Sequence, residues 1–430
     1  MNNKVLAIIL VVFLFGAAWY TVAQKSAYLP QEYGDSITQA RDNAKKGMYK
    51  KAIANYKEAL SVKSDDINIQ LELANVYLTS GDDRGFVRYC NNLTKSFPKN
   101  EEPYNALAEY YNKASEYVDC YKVINNAKRR KISSETLSNI EKEIKYKYET
   151  MHKTFSDVKV FNEGMCPVKI KEKWGFVNEA GSVAISSYYQ DAGVFTGGIA
   201  AVKTEKETFF INTKGEREMV PEENFDTLGS FREVAAASQN GKYFYVDKDF
   251  NKKFGDYDFA SNFSNKVAAV KKFDKWALID ITGKELTGYN YEDIKLDEKG
   301  NCFRNGVAFV KENGKYYMVD STGTKITDSA YDDVCPFSSS EPTAVKIGNL
   351  WGFVDNTGNV VIKPHYEGAK SFNNGLAAVK TGDLWGYITI DDNIVIPAKY
   401  EDAIGFSDKG AACVKVNDVW VVIKLCEYMS

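Results

Sequence analysis

The pattern of apolar and polar residues divides the chain into three parts. An almost uninterrupted apolar run extends from Val5 to Ala23. Residues 33–152 carry apolar side chains at helical spacing, and residues 155–424 alternate short β-branched and aromatic segments with Gly, Asn and Asp turns. The pattern predicts a multidomain α+β protein with an N-terminal hydrophobic helix within 1–24, a helical solenoid, an all-β array and a tail over 425–430.

The all-β region repeats one short unit about eight times. Equivalent positions recur at intervals of 33 to 40 residues, at Trp174, Thr208, Tyr243, Trp276, Tyr316, Trp351, Trp385 and Trp420. The longest interval contains an insertion near Leu296–Cys302. Each unit offers a small-residue strand, a tight turn, a strand that begins at the aromatic position, an Asp-x-x-Gly loop and a β-branched strand. We predict about eight three-stranded units, arranged as an open superhelix or a propeller-like ring.

The best-preserved copy of this unit is Leu350–Tyr366, with the sequence LWGFVDNTGNVVIKPHY. It resembles the WG repeat, also called the KWG repeat, and the resemblance extends over about 155–424. The resemblance implies an exported or surface-associated bacterial protein built from β-hairpins, and it implies no defined activity.

The repeated aromatic residues have two interpretations. Packing within the core is the interpretation we favour, because neighbouring units must cover an aromatic face that one small unit cannot bury. Gly352 and Gly386 beside the Trp leave room for close approach of a neighbouring strand or ring. The alternative is a set of exposed platforms on which sugars stack. The residues concerned are Trp174, Tyr243, Trp276, Tyr316, Trp351, Trp385 and Trp420.

The helical region has a period of 34 residues, seen when Gly47 is aligned with Gly81 and Ser115. Small residues at helix crossings and aromatic residues near the turns complete the pattern, which resembles the tetratricopeptide repeat over about 33–134 as three units. A further helix from Glu135 to about His152 is predicted to cap the array, so that the helical domain spans 33–152.

Tetratricopeptide arrays bind peptides or proteins in a groove lined by the first helix of each pair. By this resemblance, the groove candidates are Arg41, Lys45, Asn75, Asn105, Glu109 and Asn112. These residues do not reproduce the Lys, Asn and Arg set that holds a C-terminal carboxylate in that family. An alternative is that the helices only space or dimerise the protein.

The N-terminal segment predicts export. Lys4 and the terminal amine precede the apolar run, and a positive flank of this kind stays in the cytoplasm. Residues 1–24 are either a cleaved signal peptide or a membrane anchor. We expect the protein in the cell envelope, on the periplasmic or extracellular side, held there by the N-terminal helix.

Composition argues against several classes of function. The net charge of −3 gives no reason to expect a nucleic acid partner. Seven irregularly spaced cysteines without a C-x-x-C pair predict isolated buried thiols, and two histidines make a His-based metal site or proton relay improbable. Since no catalytic motif is present, we expect no metal, no cofactor and no enzymatic activity.

These observations predict a tethered scaffold or adaptor that contacts protein partners through the helical repeats and the β array, with the membrane contacted by the N-terminal helix. The alternative function is binding of a cell-surface carbohydrate or a cell-wall polymer.

Overall fold

The computed structural model describes residues 31–430, which form two compact units. The helical unit ends at Lys145, and the β unit extends from Tyr146 to Met429. The predicted N-terminal hydrophobic helix within 1–24 lies outside the described residues. Within residues 31–430, every helix is too short or too polar to cross a membrane.

The helical unit contains seven helices within the described residues. They are α1 (31–45), α2 (Tyr49–Val62), α3 (Ile67–Thr79), α4 (Asp83–Ser96), α5 (Glu102–Lys113), α6 (Tyr117–Arg129) and α7 (Glu135–Ile144). Asp66, Asp82 and Ser134 accept hydrogen bonds from the first free N–H groups of α3, α4 and α7.

The predicted turns of the helical repeat lie where the 34-residue period places them. Gly47, Gly81 and Ser115 all adopt the left-handed conformation, with φ of 72°, 79° and 59°. Each residue follows the end of a helix, where a left-handed residue lets the chain reverse. In the third unit, Ser115 therefore adopts the left-handed conformation that glycine adopts in the first two units.

The predicted length of the capping helix is wrong. The last helix, α7, buries Leu137, Ile140 and Ile144 as expected, but it ends at Ile144. The following residues, Tyr148–Phe155, form a β-strand that belongs to the other unit. The Glu and Lys residues of YETMHKTF favour a helix, whereas its aromatic and β-branched residues favour a strand, and pairing with a distant strand decides between them.

The β unit begins with β1 (Tyr148–Phe155) and continues as eight sheets, which we call blades 1 to 8 in chain order. Blade 1 contains β2 (Asp157–Val158), β3 (Met165–Ile170), β4 (Lys173–Asn178) and β5 (Val183–Tyr189). Blade 2 contains β6 (Asp191–Ala192), β7 (Ile199–Lys203), β8 (Thr208–Asn212) and β9 (Arg217–Met219). Blade 3 contains β10 (Thr227–Leu228), β11 (Ala235–Gln239), β12 (Lys242–Val246) and β13 (Lys252–Tyr257). Blade 4 contains β14 (Phe259–Ala260), β15 (Val267–Lys272) and β16 (Lys275–Asp280).

The remaining blades follow the same order. Blade 5 contains β17 (Asp293–Ile294), β18 (Phe303–Arg304), β19 (Val307–Glu312) and β20 (Lys315–Val319). Blade 6 contains β21 (Asp333–Val334), β22 (Thr343–Ile347), β23 (Leu350–Val354) and β24 (Val360–Tyr366). Blade 7 contains β25 (Gly368–Ala369), β26 (Leu376–Thr381), β27 (Leu384–Thr389) and β28 (Ile394–Tyr400). Blade 8 contains β29 (Asp402–Ala403), β30 (Ala411–Val416) and β31 (Val419–Leu425). The predicted tail completes β31 with Leu425 and then forms a 3₁₀-helix over Cys426–Met429.

Most blades have four antiparallel strands, so the prediction of three-stranded units is wrong. The additional strand is the two-residue segment after each aromatic-acid step, such as Asp333–Val334, which pairs with Lys346 and Val345. The sequence analysis treated this segment as a connection, because two residues are too few to show an alternating pattern.

The eighth blade is completed by the other end of the β unit. The strand β1 pairs antiparallel with β31, with Tyr148 opposite Leu425 and Phe155 opposite Trp420. Blade 1 and blade 8 then share one apolar cluster that includes Phe155, Val177 and Val422. The two predicted alternatives are thereby resolved, because the array closes into an eight-bladed β-propeller.

Aromatic pairs recur from blade to blade in the core of the ring. Phe176 packs on Phe195 with ring centroids 4.9 Å apart, and the equivalent Phe353–Phe372 and Tyr387–Phe406 pairs are both 4.7 Å apart. The second ring of each pair lies between the first two strands of the next blade, so each contact joins successive blades. Such pairs add roughly 0.5–1.5 kcal/mol each beyond the area they bury.

Candidate functional site

A groove of about 1090 Å³ lies in the helical unit. Its walls are formed by α3, α4 and α5 and by the start of α7. The apolar part of its surface includes Leu71, Leu78, Phe86 and Tyr110, and the rings of Phe86 and Tyr110 lie 5.2 Å apart. The groove therefore offers an apolar surface that is long enough for several residues of an extended chain.

The charged side chains of this groove are mostly acidic. The acids are Asp83, Glu101, Glu102, Glu109 and Glu135, and the single base that lines it is Lys113. Burial and the nearby Asp83 carboxylate raise the pKa of the Tyr110 phenol above its ordinary value. The groove thus combines an apolar surface with a negative potential, which favours a positively charged occupant.

Three of the six predicted groove residues line this groove, namely Asn75, Asn105 and Glu109. Asn105 is 9% exposed, and its Oδ1 accepts a hydrogen bond from the Ser134 hydroxyl at 2.6 Å. Since Ser134 also caps α7, Asn105 joins the groove wall to the last helix. Asn75 and Glu109 occupy equivalent positions of successive repeats, 34 residues apart.

The other three predicted residues lie elsewhere. Arg41 donates from Nε to Glu72 at 2.8 Å, and Glu72 also accepts from the Tyr56 hydroxyl at 2.8 Å. Asn112 donates to Glu143 at 3.1 Å. Lys45 is exposed at the end of α1. The helical period alone could not separate these positions, because the groove is formed by the second and third units.

Sequence reasoning missed the acids that lie at the starts of helices. Asp83 begins α4, Glu101 and Glu102 begin α5, and Glu135 begins α7. A signal was present in the sequence, because acidic residues are common in the first turn of a helix. Whether several helix starts meet at one groove depends on how the helices pack, and the sequence does not state this.

The insertion that lengthens one repeat lies inside the ring of the β unit. It interrupts the inner edge of blade 5 between β17 and β18, which pair with the same strand, β19. Its turn is held by Asp297, whose Oδ1 accepts from the N–H groups of Lys299 and Asn301 at 2.8 Å each. We call residues 296–302 the channel loop.

Contacts from three blades hold the channel loop. Asn262 of blade 4 donates to the Lys299 carbonyl at 2.7 Å, and Lys299 Nζ donates to Asn162 Oδ1, after β2 in blade 1, at 2.9 Å. Glu298 lies 3.8 Å from Lys370, next to blade 7. Because the loop reaches blades on opposite sides of the ring, it fills the centre of the β unit.

The channel loop leaves two small cavities at the centre of the ring, of about 260 and 170 Å³. Loss of solvent around the channel loop raises the pKa of Glu298 and lowers that of Lys299. About half of the Glu298 side chain remains exposed to solvent. In the part of the chain that the structure describes, no group of three or more His, Cys, Asp or Glu side chains is arranged to hold a metal ion.

The repeated aromatic residues lie at the outer part of each blade. Trp174 is 8% exposed and Tyr316 is 5% exposed, whereas Trp351, Trp385 and Trp420 are half-buried against their apolar clusters. Lys159 Nζ lies 5.0 Å from the ring centre of Trp174. Tyr243 and Trp276 are also half-buried against such clusters. Among residues 31–430, no contact favours the predicted carbohydrate-binding alternative over packing.

The two units define the class of the protein: a helical-repeat unit followed in one chain by an eight-bladed β-propeller. Within the propeller, six segments match the model of the WG containing repeat, at 153–174, 174–206, 244–276, 276–316, 351–385 and 385–420. Within the helical unit, residues 43–81 match the model of the TPR repeat. The chain therefore carries WG repeats and a tetratricopeptide repeat, as the sequence analysis predicted.

Comparison with curated proteins gives no match. Among solved structures, a crystal structure of the eukaryotic initiation factor is 15% identical, with 66% of this chain and 88% of that chain covered and a TM-score of 0.42. Kluyvelomyces marxianus Hsv2 is 9% identical, with 63% and 96% covered and a TM-score of 0.37. The Neurospora crassa Pan2 WD40 domain is 10% identical, with 54% and 86% covered and a TM-score of 0.32.

Proposed function

We propose that the protein is a non-enzymatic scaffold whose helical groove binds an extended, positively charged segment of a partner protein. One observation carries the proposal: the groove places five carboxylates and one ammonium group around an apolar surface. Tetratricopeptide arrays bind protein segments in such grooves, and the TPR match over residues 43–81 supports the same use here.

The chemistry of the groove specifies the occupant. Apolar side chains of the segment would pack on Leu71, Leu78 and Phe86, while Lys or Arg side chains would reach Glu102 and Glu109. A partly desolvated pair between Arg and a carboxylate can be bidentate, and it is stronger than an exposed ion pair. Acidic segments of equal apolar content are disfavoured by like-charge repulsion, which gives the groove its selectivity.

The propeller supplies the second interaction surface of this scaffold. The channel loop fills the centre of the ring, so we place the contacts of a large partner on the exposed outer strands. Val360, Val361 and Ile394 are 54%, 40% and 62% exposed on the outermost strands of blades 6 and 7. Exposed apolar side chains on successive blades support a role in protein interaction.

We place the scaffold outside the cytoplasm, tethered to the membrane. The apolar run from Val5 to Ala23 after Lys4 supports this proposal. Cell fractionation combined with N-terminal sequencing of the mature protein tests it. Recovery of the chain in the soluble cytoplasmic fraction, with residues 1–24 present, would contradict both export and tethering.

A peptide array tests the groove. The full-length chain is applied to arrays of extended peptides that share their apolar residues and carry either Lys and Arg or Asp and Glu between them. We expect retention of the basic series only, with binding that weakens as the salt concentration rises. Glu102→Lys combined with Glu109→Lys is expected to reduce retention at least tenfold.

The matched control for this experiment is Glu32→Lys combined with Glu58→Lys. These two residues are exposed on α1 and α2 and do not line the groove, so the control changes the net charge by the same amount without changing the site. Equal loss of binding in the control would show that general charge attraction is responsible. If no peptide of either series is retained, the groove is not a peptide-binding site.

A further inference from the structure

Two of the seven cysteines meet inside the β unit. Cys166 on β3 and Cys413 on β30 have their sulfur atoms 3.9 Å apart, although 247 residues separate them in the chain. Both side chains are buried, with 0% and 1% exposure, in the apolar cluster shared by blades 1 and 8. The prediction of isolated thiols is therefore wrong for this pair.

The positions of the two cysteines follow a rule that holds at six of the eight interfaces between blades. In each blade one residue pairs with the repeated aromatic residue, and we call it the reference residue; in blade 7 it is Lys380, which pairs with Trp385. The residue two places before the reference residue of one blade shares an apolar cluster with the residue three places before the reference residue of the next blade. At five of the eight interfaces both residues are alanine: Ala201 and Ala235, Ala236 and Ala268, Ala269 and Ala308, Ala344 and Ala377, and Ala378 and Ala412.

The cysteine pair occupies the same two positions at the interface where the ring closes. Cys413 lies two places before Lys415, which is opposite Trp420, and Cys166 lies three places before Lys169, which is opposite Trp174. Small residues at these positions let the strands of neighbouring blades approach closely. Two cysteines there have their sulfur atoms 3.9 Å apart, and formation of the bond requires the sulfur atoms to approach to about 2.05 Å.

We propose that Cys166 and Cys413 form a disulfide that locks the ring at the interface between its first and last blades. The two S–H bonds break and one S–S bond forms. The two electrons and two protons pass to a disulfide oxidant, such as oxidised glutathione, whose own S–S bond is reduced to two thiols. One thiolate first attacks the oxidant, which releases one thiol and leaves a mixed disulfide, and the second cysteine then attacks the protein sulfur of that mixed disulfide and displaces the other thiol.

The reaction takes place as the ring closes. In the folded protein, burial raises the pKa of the Cys166 thiol and keeps oxidants and reductants away from it. After the ring has closed, the pair therefore keeps the redox state, reduced or oxidised, in which it folded. During folding, blades 1 and 8 approach each other with their inner strands still exposed. Because the bond closes a loop of most of the β unit, it restricts the unfolded chain strongly.

The test refolds the full-length chain from denaturant in a mixture of reduced and oxidised glutathione and, in parallel, with reductant alone. After alkylation, peptide mapping without reduction identifies linked cysteines. We expect one dominant linked pair, Cys166 with Cys413, and the other cysteines alkylated. The thermal midpoint of the oxidised protein should exceed that of the reduced protein by roughly 5–10 °C.

Three variants separate the effect of this disulfide from the effects of other cysteines. Cys166→Ala with Cys413→Ala restores the alanine pair of five other interfaces, so it should fold and show equal midpoints in both buffers. Cys302→Ala removes another buried thiol and should keep the difference. Ala378→Cys with Ala412→Cys recreates the arrangement between blades 7 and 8. If that engineered pair oxidises and the native pair stays alkylated, or if the native link leaves the midpoint unchanged, the proposal is wrong.

Discussion

The glycine of the Trp-Gly motif is required by the backbone of its own blade. A Cβ atom on Gly352 would lie 2.6 Å from the Ile362 carbonyl oxygen and 2.6 Å from the Pro364 nitrogen. Gly175 and Gly386 meet the same backbone contacts in their blades. The sequence predicted a close approach at this glycine, and the structure identifies the approaching segment as the outer strand, which is bulged at this point.

Gly352→Ala should destabilise the propeller by roughly 2–3 kcal/mol, because the added methyl group meets backbone atoms that cannot rotate away. Urea unfolding followed by circular dichroism measures the change. Gly405→Ala is the matched control, since its nearest neighbour is a carbonyl oxygen 4.0 Å away and its backbone is not left-handed. A similar loss for both variants would mean that glycine flexibility, and not the contact, explains the motif.

Phe273 is an unusual residue for the hairpin turn in which it lies. It has a φ of 50° at the tip between β15 and β16, and its side chain is 89% exposed. The equivalent turn of blade 8 has Asn417 and Asp418 with φ of 51° and 63°, nearly the same as the 50° and 61° of Phe273 and Asp274. An aromatic residue in this conformation is strained, whereas Asn is well tolerated.

Phe273→Asn should therefore stabilise the protein, by roughly 0.5–1 kcal/mol. The reciprocal change, Asn417→Phe, should cost a similar amount. Thermal unfolding of the two variants beside the parent chain checks both signs. If Phe273→Asn lowers the midpoint, the exposed ring makes a stabilising contact that outweighs its strain.

At the scale of elements, the Asp-x-x-Gly loops are turns built around one carboxylate. Asp280 Oδ1 accepts from Thr282 N at 2.8 Å and from Lys284 N at 3.0 Å, and Gly283 takes the left-handed conformation. In blade 1, Asn178 Oδ1 accepts two N–H groups of the equivalent turn at 3.0 Å each. In both turns a side-chain oxygen accepts the N–H groups of the turn backbone, which is a common role of Asp and Asn in turns.

These turns should make stability depend on acid. The hydrogen bond from Thr282, helped by those from the backbone, holds the pKa of Asp280 below its ordinary value of 3.8. A lowered pKa contributes stability that is present above about pH 4 and is lost as the pH falls through the pKa of the folded state. Asp280→Asn keeps the oxygen acceptor, so it should change little at pH 7 and lose less stability between pH 5 and 3.

Urea unfolding at several pH values measures this dependence. The reciprocal variant, Asn178→Asp, should steepen the loss of stability in acid by the same mechanism. Identical acid profiles for the parent and both variants would show that carboxylates elsewhere determine the acid response.

Two elements of the propeller could not be read from the sequence. The inner strands contain only two residues, so no period is visible within them. The first strand has no alternating pattern, because its large apolar residues Tyr148, Met151 and Phe155 are three and four residues apart, and its partner β31 lies at the far end of the β unit. Pairing over such a distance is decided by the closure of the ring, and a local pattern contains no information about it.

For the whole molecule, closure depends on the hydrogen bonds between β1 and β31. Cys426 N–H donates to the Lys147 carbonyl at 2.9 Å. Since hydrogen-bonded and non-bonded pairs alternate along antiparallel strands, Glu149 and Lys424 form the next bonded pair. Lys153 lies in the stretch where the register between the two strands is interrupted.

Glu149→Pro should weaken the pairing of β1 with β31 and lower the free energy of unfolding by roughly 2–3 kcal/mol. The reason is that proline has no N–H group to donate to the hydrogen-bond ladder that closes the ring. Lys153→Pro is the matched control, and it should cost clearly less. Denaturant unfolding and limited proteolysis of the first strand check the difference. Equal effects of the two substitutions would argue that this strand contributes little to closure.

The repeat architecture was more predictable than the site. Local signals such as Gly81, Asn313-Gly314 and the spacing of Trp351 and Trp385 predicted the units, because turns and strand lengths are local properties. The groove was predicted only in part: Asn75 and Glu109 follow the repeat, whereas Asp83 and Glu135 come from helices whose starts meet only after packing. Closure by β1 and the meeting of the two cysteines are likewise properties of the assembled ring.

The shared blade has a consequence for the order of events in the cell. The strand that completes blade 8 is made first, and its partner follows after roughly 270 more residues, so at ordinary rates of synthesis it waits on the order of tens of seconds. Throughout that time the chain exposes two unpaired edges. A product released early would be an open ring and not a smaller closed one, and its unpaired edges would be available for pairing with other chains.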